Sequence, residues 1–341
     1  MKKTFFLFIS LLLLASGCQN QLVKESSFRR AASEADTSAR RKTVSLVTWN
    51  LQTFFDAVTN GSEYKDFKNS ERWTKEKYLK RLDKLCDIMT SLDPDLFVME
   101  EIESEAVVQD IANRLAGGSW SNKKNWQYVC FAKESGSAIG CAVFSKYELT
   151  ELRTHSLDIR CQKENQPSSR PLMQVTVCLE NQEMELIVNH WKSKSGGEDE
   201  SEIWRDWQEL VLSDAASAVT QPLLICGDFN RSAEDFILQN KNEKKGGNTI
   251  LRGSGQLLEV YSPWFRPDGK AAVENGSYYY NGEWERIDNI FVCGNLEVTS
   301  FTPVADPPLA DEEGIPSSYK LYTGEGYSDH LPLKCLLSVC G

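Results

Sequence analysis

The sequence predicts an α/β (α+β) domain over residues 43–341, built from two mixed, mainly antiparallel sheets packed together under helices. Three observations lead there. Short apolar runs of strand length recur along the whole stretch, separated by segments with helical spacing. Some runs follow one another with only a turn between them, which antiparallel pairing allows and strict β-α-β winding does not. The runs also begin or end on acidic, amide or imidazole side chains.

In order along the chain, VSLVTWN (44–50) is the first strand. Tyr78, Leu82, Leu85, Met89 and Leu92 recur at helical spacing, and Asp-Pro-Asp at 93–95 stops that helix. LFVME (96–100) is a buried strand, followed by an amphipathic segment at 104–115. WQYVCFA and IGCAVFS pair as a hairpin around KESGSA. Extended runs surround Cys161 and Cys178, and MELIVNH (184–190) is another strand. Ile203, Trp207, Leu210 and Ala218 mark a helix that leads into LLICGDFN (223–230). A short helix at 233–240 precedes the loop KNEKKGGN. Aromatic strands run through SYYYNGEWERIDNIFV (277–292), and SDHLPLKCLLSV (328–339) closes the domain.

Composition is that of a globular protein: 341 residues, 41% hydrophobic and 26% charged. The formal charge of −11 excludes a broad basic face for nucleic acid. Positive charge for a polyanionic substrate must then be local, from a metal ion and a few Lys and Arg. The N-terminal MKKTFFLFISLLLLASGC has the two lysines and short apolar run of an export signal, too short to span a bilayer. LASGC resembles the lipobox of bacterial lipoproteins, in which residues 1–17 are removed and Cys18 becomes the lipidated N-terminus. Residues 18–42 read as a flexible tether. The expected location is therefore outside the cytoplasm, anchored to a bacterial membrane by lipid, at the outer membrane or cell surface. Of ten cysteines, Cys130 with Cys141 and Cys161 with Cys178 flank hairpins; cross-strand disulfides and buried free thiols are both open.

The polar strand ends form a coherent set. Asn50 ends the first strand, Glu100 and Glu101 the second, and His190 ends LIVNH. Asp228 and Asn230 end LLICGDFN, two apart and on one side of an extended chain. Asp288 opens RIDNIFV, and Asp329-His330 open the last strand. Charged groups rarely interrupt apolar strands without pairing or coordinating something. Carboxylate and carboxamide oxygens without thiolate suit a hard cation such as Mg²⁺, for which Mn²⁺ or Ca²⁺ could substitute. An Asp beside a His orients an imidazole for proton transfer. A cation, a base and an acid together make a phosphodiester hydrolase. Of the three histidines, His155 lies outside these motifs and reads as structural.

The ordered blocks TWNLQ, VMEEIE, VNHWKSK, GDFN, RIDNIFV and YSDHLPL resemble the endonuclease/exonuclease/phosphatase superfamily, the deoxyribonuclease I-like fold. The resemblance covers residues 43–341 and implies a four-layer α/β sandwich with metal-dependent phosphoester hydrolysis. It implies Glu101, Asn50 and Asp329 at the metal, with Glu100, where Gln is usual, adding charge. It implies Asp228 and Asn230 at the phosphate, Asp288 pairing with His330 as general base, and His190 serving the leaving group. Glu134 is the nearest acidic partner for His190, and Lys146 stands where relatives carry a phosphate-facing Arg. VNHWKSKSGG resembles a stretch of bacterial secreted endonucleases, with Lys192, Lys194 and Arg205 as local positive charge. Tyr278–Tyr280 and Trp284 either pack within a sheet, the commoner fate, or stack on bases. The expectation is a monomeric, surface-anchored, non-specific nuclease acting on DNA, touching membrane only through its lipid. Alternatives are a phospholipid phosphodiesterase of the sphingomyelinase kind, a phosphoinositide phosphatase, or a non-catalytic ligand-binding lipoprotein.

Overall fold

Buried apolar side chains at Val44, Leu46, Val47, Trp49 and Leu51 make β1 (Lys42–Phe54) the spine of the domain. The structure, a computed structural model, describes residues 42–68, 71–117, 126–157, 170–238 and 249–339. The export segment, Cys18, the tether as far as residue 41, Cys161 and the 241–248 loop lie outside these residues, and Lys42, expected in the tether, opens β1.

Helix α1 (Lys75–Leu92) starts where the Thr74 side chain accepts from Lys77 N–H, and stops at Asp93, whose φ is 42°. β2 (Leu96–Ile102) follows, then α2 (Glu105–Ala116), capped by Ser104 onto Val107 N–H. Next come β3 (Tyr128–Ala132), β4 (Gly140–Ser145), β5 (Glu148–His155), β6 (Leu172–Leu179) and β7 (Gln182–His190). Helix α3 (Glu198–Ser217) leads into β8 (Leu223–Asp228). The ribbons β9 (Thr249–Arg252) with β10 (Leu257–Val260), and β11 (Tyr278–Tyr280) with β12 (Glu283–Glu285), precede β13 (Asp288–Cys293). The domain ends on β14 (Leu296–Pro303) and β15 (Leu333–Val339).

One sheet has the order β14-β15-β1-β2-β4-β3 and the other β13-β8-β7-β6-β5. The pairs β1/β2 and β7/β8 are parallel, and the remaining neighbours antiparallel. Period-two alternation separates three apolar layers. Leu96 and Val98 face the space between the sheets with Val188, Leu224 and Ile290. Phe97 and Met99, on the other side of β2, pack against Leu82 and Leu85 of α1 and Ile111 of α2. Ile187, Ile225 and Phe291 pack against Leu212 of α3. This is the expected four-layer sandwich. Each such side chain contributes about 1.5–3 kcal/mol on burial.

The pairing also decides what gathers at one end. Parallel β1 and β2 end together, with Asn50 beside Glu100; parallel β7 and β8 end together, with His190 beside Asp228. Antiparallel β13 places its first residue, Asp288, opposite Asp228. Antiparallel β15 brings its entry to the end of β1, where Leu333 pairs with Thr48.

Several expectations need correction. The helix expected at 233–240 is a single 3-10 turn, Ala233–Phe236. β5 and β14 escape the apolar pattern because they are edge strands, largely exposed and rich in Glu and Thr. Cys130 pairs across the hairpin with Val143 and Cys141 with Ala132, so these thiols are out of register and free. Cys178 is also free. Among the described residues, no helix is long and apolar enough to cross a membrane.

Candidate active site

Asp228 organises the site from its position at the end of β8. Gly227 precedes it with φ 127°, and a Cβ there would meet the Asn189 carbonyl at 2.0 Å. Only glycine lets β7 and β8 approach this closely. Asn230, two residues on, turns back with φ 47°. Its N–H donates to Asp228 Oδ1 (2.8 Å) and its side-chain amide to Asp228 Oδ2 (3.1 Å) and the Trp191 carbonyl (3.1 Å). Asn50 Nδ2 donates to Asp228 Oδ2 across the two sheets (3.0 Å).

Glu101 is turned into this space by a pairing irregularity. β2 skips a position between Glu100 and Ile102, and Glu101 takes φ 66°. Gln52 and Thr53, facing it at the end of β1, also have positive φ, at 50° and 56°. Such backbone costs about 1–3 kcal/mol per residue and gathers at sites whose geometry demands it. The return is a donor: Thr53 N–H bonds Glu101 Oε2 at 2.5 Å. Glu101 Oε1 faces Asn50 Nδ2 (3.4 Å) and His190 Nε2 (3.5 Å), and His190 Nε2 lies 3.7 Å from Asp228 Oδ2.

On the third side, Asp288 Oδ2 accepts from His330 Nδ1 (2.8 Å) and from Ser277 Oγ (2.6 Å). Nε2 of His330 then faces the site, with Asp329 Oδ1 at 3.9 Å. Burial opposes charge on His330, yet Asp288, Asp329 and Asp228 together hold its pKa well above the usual value. His190 is pushed the other way, by burial and then by the charges of Arg170 and His330. The two imidazoles are therefore pushed in opposite directions, His330 towards the cation and His190 towards the neutral form. Burial raises Glu101 above the usual carboxylate range; Arg170 opposes the rise and Asp329 adds to it. Asp228 is raised by burial and by the facing Asp288.

Arg170 is the functional residue the sequence reading missed. It stands just before β6, which runs antiparallel to β7, so the entry to β6 lies beside the end of β7. Its guanidinium bonds the Trp191 carbonyl (3.4 Å), and its charge reaches Tyr64, Glu101 and His190. A signal existed: a charged residue at the mouth of the apolar run PLMQVTV, the same cue that marks Asp288.

Other expected residues fall elsewhere. Lys146 follows β4, which is antiparallel to β2, and so lies at the opposite end of the sheet from Glu101, bonded to Asp93 Oδ1 (2.7 Å) and its carbonyl (3.0 Å). Arg205 is buried, held by Glu202 (2.5 Å), Ser201 Oγ (2.9 Å) and the Lys192 carbonyl (3.2 Å), and braces the 191–197 loop instead of meeting substrate. Lys192 turns its ammonium onto the Ser193 and Ser195 carbonyls of that loop. Lys194 reaches the β11–β12 ribbon, pairing with Glu285 (2.8 Å). Glu134 is not the partner of His190, whose Nδ1 is buried without a hydrogen bond among the described residues. Glu100, expected to add charge, is fully buried between the sheets and accepts from Thr48 Oγ1 (2.8 Å); burial lifts its carboxyl well above the usual range. His155 bonds Gln174 (2.7 Å), away from these groups.

The donor set suits a divalent cation. Glu101 and Asp329 offer oxygen alone, in a cluster of buried carboxylates that Arg170 and His330 only partly offset, whereas Asn50, also expected at the metal, gives its Oδ1 to Gln52 N–H (2.9 Å) and turns its Nδ2 to the site. Asp228, Asp288 and His330 also bring one ligand atom each within 4.8 Å of one another, but the short Asp288–His330 bond occupies that pair.

The chain is similar to known proteins along most of its length. A family model described as the Endonuclease/Exonuclease/phosphatase family matches residues 45–337. Nocturnin of Xenopus laevis is 25% identical over 267 residues; the match covers 74% of this chain and 66% of that protein, so just under two thirds of the relative is spanned. The human Nocturnin catalytic domain with bound sulfate anion is 16% identical, with 88% of this chain and 97% of that one covered at a TM-score of 0.54. The D. rerio TDP2 complexed with single strand DNA product is 16% identical, with 86% and 98% covered at a TM-score of 0.56. These solved structures share the fold. With the matched region spanning nearly all of the described domain, the chain belongs to the endonuclease/exonuclease/phosphatase family, with the deoxyribonuclease I-like fold.

Proposed function

We propose that this chain is a divalent-cation-dependent phosphodiesterase that hydrolyses nucleic acid, with DNA as substrate and Mg²⁺ as the working cation. One observation carries the reading: Asn50, Glu101, His190, Asp228, Asn230, Asp288, Asp329 and His330 converge from both sheets on one space, which Arg170 supplies with positive charge. Its relatives support it, since a TDP2 structure carries a single-stranded DNA product and a Nocturnin structure a sulfate, a tetrahedral anion like phosphate.

Glu101 and Asp329 would hold the cation. When bound, it supplies charge that offsets the phosphate oxygens and the surrounding carboxylates. The chain's own residues do the rest. Arg170 and the Asn50 and Asn230 amides hold the phosphate. Asp288 fixes the His330 ring so that Nε2 alone is available for proton transfer. A bond forms from water oxygen to phosphorus as the bond to the leaving alkoxide breaks. One imidazole takes the water's proton, and the other supplies one to the departing oxygen. The export signal and Cys18 extend the proposal to an exported, lipid-anchored enzyme whose catalytic domain acts outside the cytoplasm as a monomer.

Incubating the purified protein with plasmid and linear DNA, with Mg²⁺ or with EDTA, tests the reading. Cleavage is expected with Mg²⁺ only, and Asp228→Ala should lower it about 10²–10³-fold. No cleavage by wild type, or equal cleavage by Asp228→Ala, overturns it. Phosphocholine or inorganic phosphate released from lipid vesicles instead would assign the site to a lipid phosphoester.

A further inference from the structure

Beside His330 the surface is aromatic. The Tyr278 ring lies 4.7 Å from the His330 ring, centroid to centroid, at 36°. Two residues along β11, Tyr280 continues the same face, with ring planes only 16° apart and centroids 6.1 Å apart. The rings are stacked, continuing outward from His330 with Tyr280 the outermost. Tyr280 is 55% exposed, so its ring is not there to fill a core.

The ribbon that carries this surface is rigidly tied to the catalytic groups. Tyr278 bridges the backbone of His330, Leu331 N–H bonds the Ser277 carbonyl (2.8 Å), and Ser277 Oγ bonds Asp288 (2.6 Å). On the opposite face, Tyr279 packs on Trp284 at 5.1 Å. A Cβ at Gly276 would meet the Glu285 carbonyl at 2.1 Å, so the ribbon is closed as tightly as backbone allows. Two acidic residues share the tyrosine face: Glu285, which is neutralised by Lys194, and Glu283, which is exposed. A second phosphate is therefore unwelcome on this surface, whereas an uncharged planar group is accommodated.

We infer that Tyr278 and Tyr280 form a stacking shelf for the nucleobase next to the scissile phosphate. The inference rests on the nucleic-acid reading and narrows it to substrates whose base is free to stack. A paired base keeps its faces covered by its neighbours, so single strands and short nucleotides are favoured over duplex. The shelf is sequence-tolerant, because every base has a π-face.

The test uses the purified full chain with Mg²⁺ and two substrates, a dinucleoside monophosphate and its analogue with one base replaced by hydrogen. The readout is the ratio of their kcat/KM values. Tyr280→Ala is expected to lower that ratio about 5- to 100-fold, mostly through KM, and Tyr280→Phe to restore it. Wild type should also cleave a single-stranded oligonucleotide faster than its duplex. If wild type cleaves both substrates and Tyr280→Ala leaves the ratio unchanged, the shelf is overturned and the nuclease reading survives. If wild type cleaves neither, the nucleic-acid reading falls and the shelf with it.

Discussion

Asp288 Oδ2 accepts from both Ser277 and His330, so a single oxygen sets the orientation of the imidazole. Asp288→Asn keeps the shape and removes the charge that stabilises the imidazolium. It should lower kcat on DNA about 10²–10⁴-fold with little change in KM, as steady-state kinetics would reveal. The thiols make a different prediction. Burial pushes Cys86, Cys130 and Cys335 up to about 12 from an ordinary value of 9.0. Because the folded-state value is the higher one, their contribution to stability is full below about pH 9 and is lost as pH rises towards about 12. Thermal midpoints should fall across that window. At pH 8, mass spectrometry after alkylation should find these three cysteines unmodified in native protein and modified after denaturation.

At the level of elements, the end of β1 depends on α1. Arg81 donates to the carbonyls of Leu51 (2.6 Å), Gln52 (2.8 Å) and Thr53 (3.0 Å), with its guanidinium 3.8 Å from the Tyr319 ring centroid and 4.8 Å from that of Phe54. These carbonyls belong to the positive-φ turn that aims Thr53 N–H at Glu101. Arg81→Met should cost on the order of 3 kcal/mol in urea unfolding, because buried carbonyls lose their donors. It should also weaken Mg²⁺ binding measured by calorimetry. Lysine cannot span three carbonyls with a planar fork, so Arg81→Lys should recover only part of either loss. The parallel pair β7/β8 has its own weak point. Gly227→Ala places a methyl against the Asn189 carbonyl at a φ of 127°, and should destabilise by about 3 kcal/mol or more. Activity should fall with it, since the same contact sets His190 beside Asp228.

Across the whole molecule, the formal charge is −11, and the proposed nucleic-acid substrate would meet very few cations. Arg170 lies in the site and Lys194 on its rim, whereas Lys146 and Arg205 are engaged elsewhere. The slope of log(kcat/KM) on DNA against log[salt] should therefore be shallow, no steeper than about −2, where a basic nucleic-acid binder would show a steep one. Two mainly antiparallel sheets under helices were legible because each layer needs only local patterning. Phe97 and Met99 alternate with Leu96 and Val98, and α1 repeats its apolar residues at helical spacing. The edge strands β5 and β14 were not, because a strand with one partner and an exposed face carries no apolar period.

The sequence by itself determined which residues end the central strands, since a carboxylate or amide closing an apolar run is visible without coordinates. Asn50, Glu101, His190, Asp228, Asn230, Asp288, Asp329 and His330 were all named that way. Tertiary structure decided which strand ends share a space. Pairing direction sends the exit of β4, with Lys146, to the far end of its sheet and brings the entry to β6, with Arg170, to the near end. It also decided between Glu100 and Glu101, adjacent in sequence, of which one is buried between sheets and the other turned into the site. A strand's period records burial locally, whereas direction and bulges arise from contacts between segments far apart in the chain.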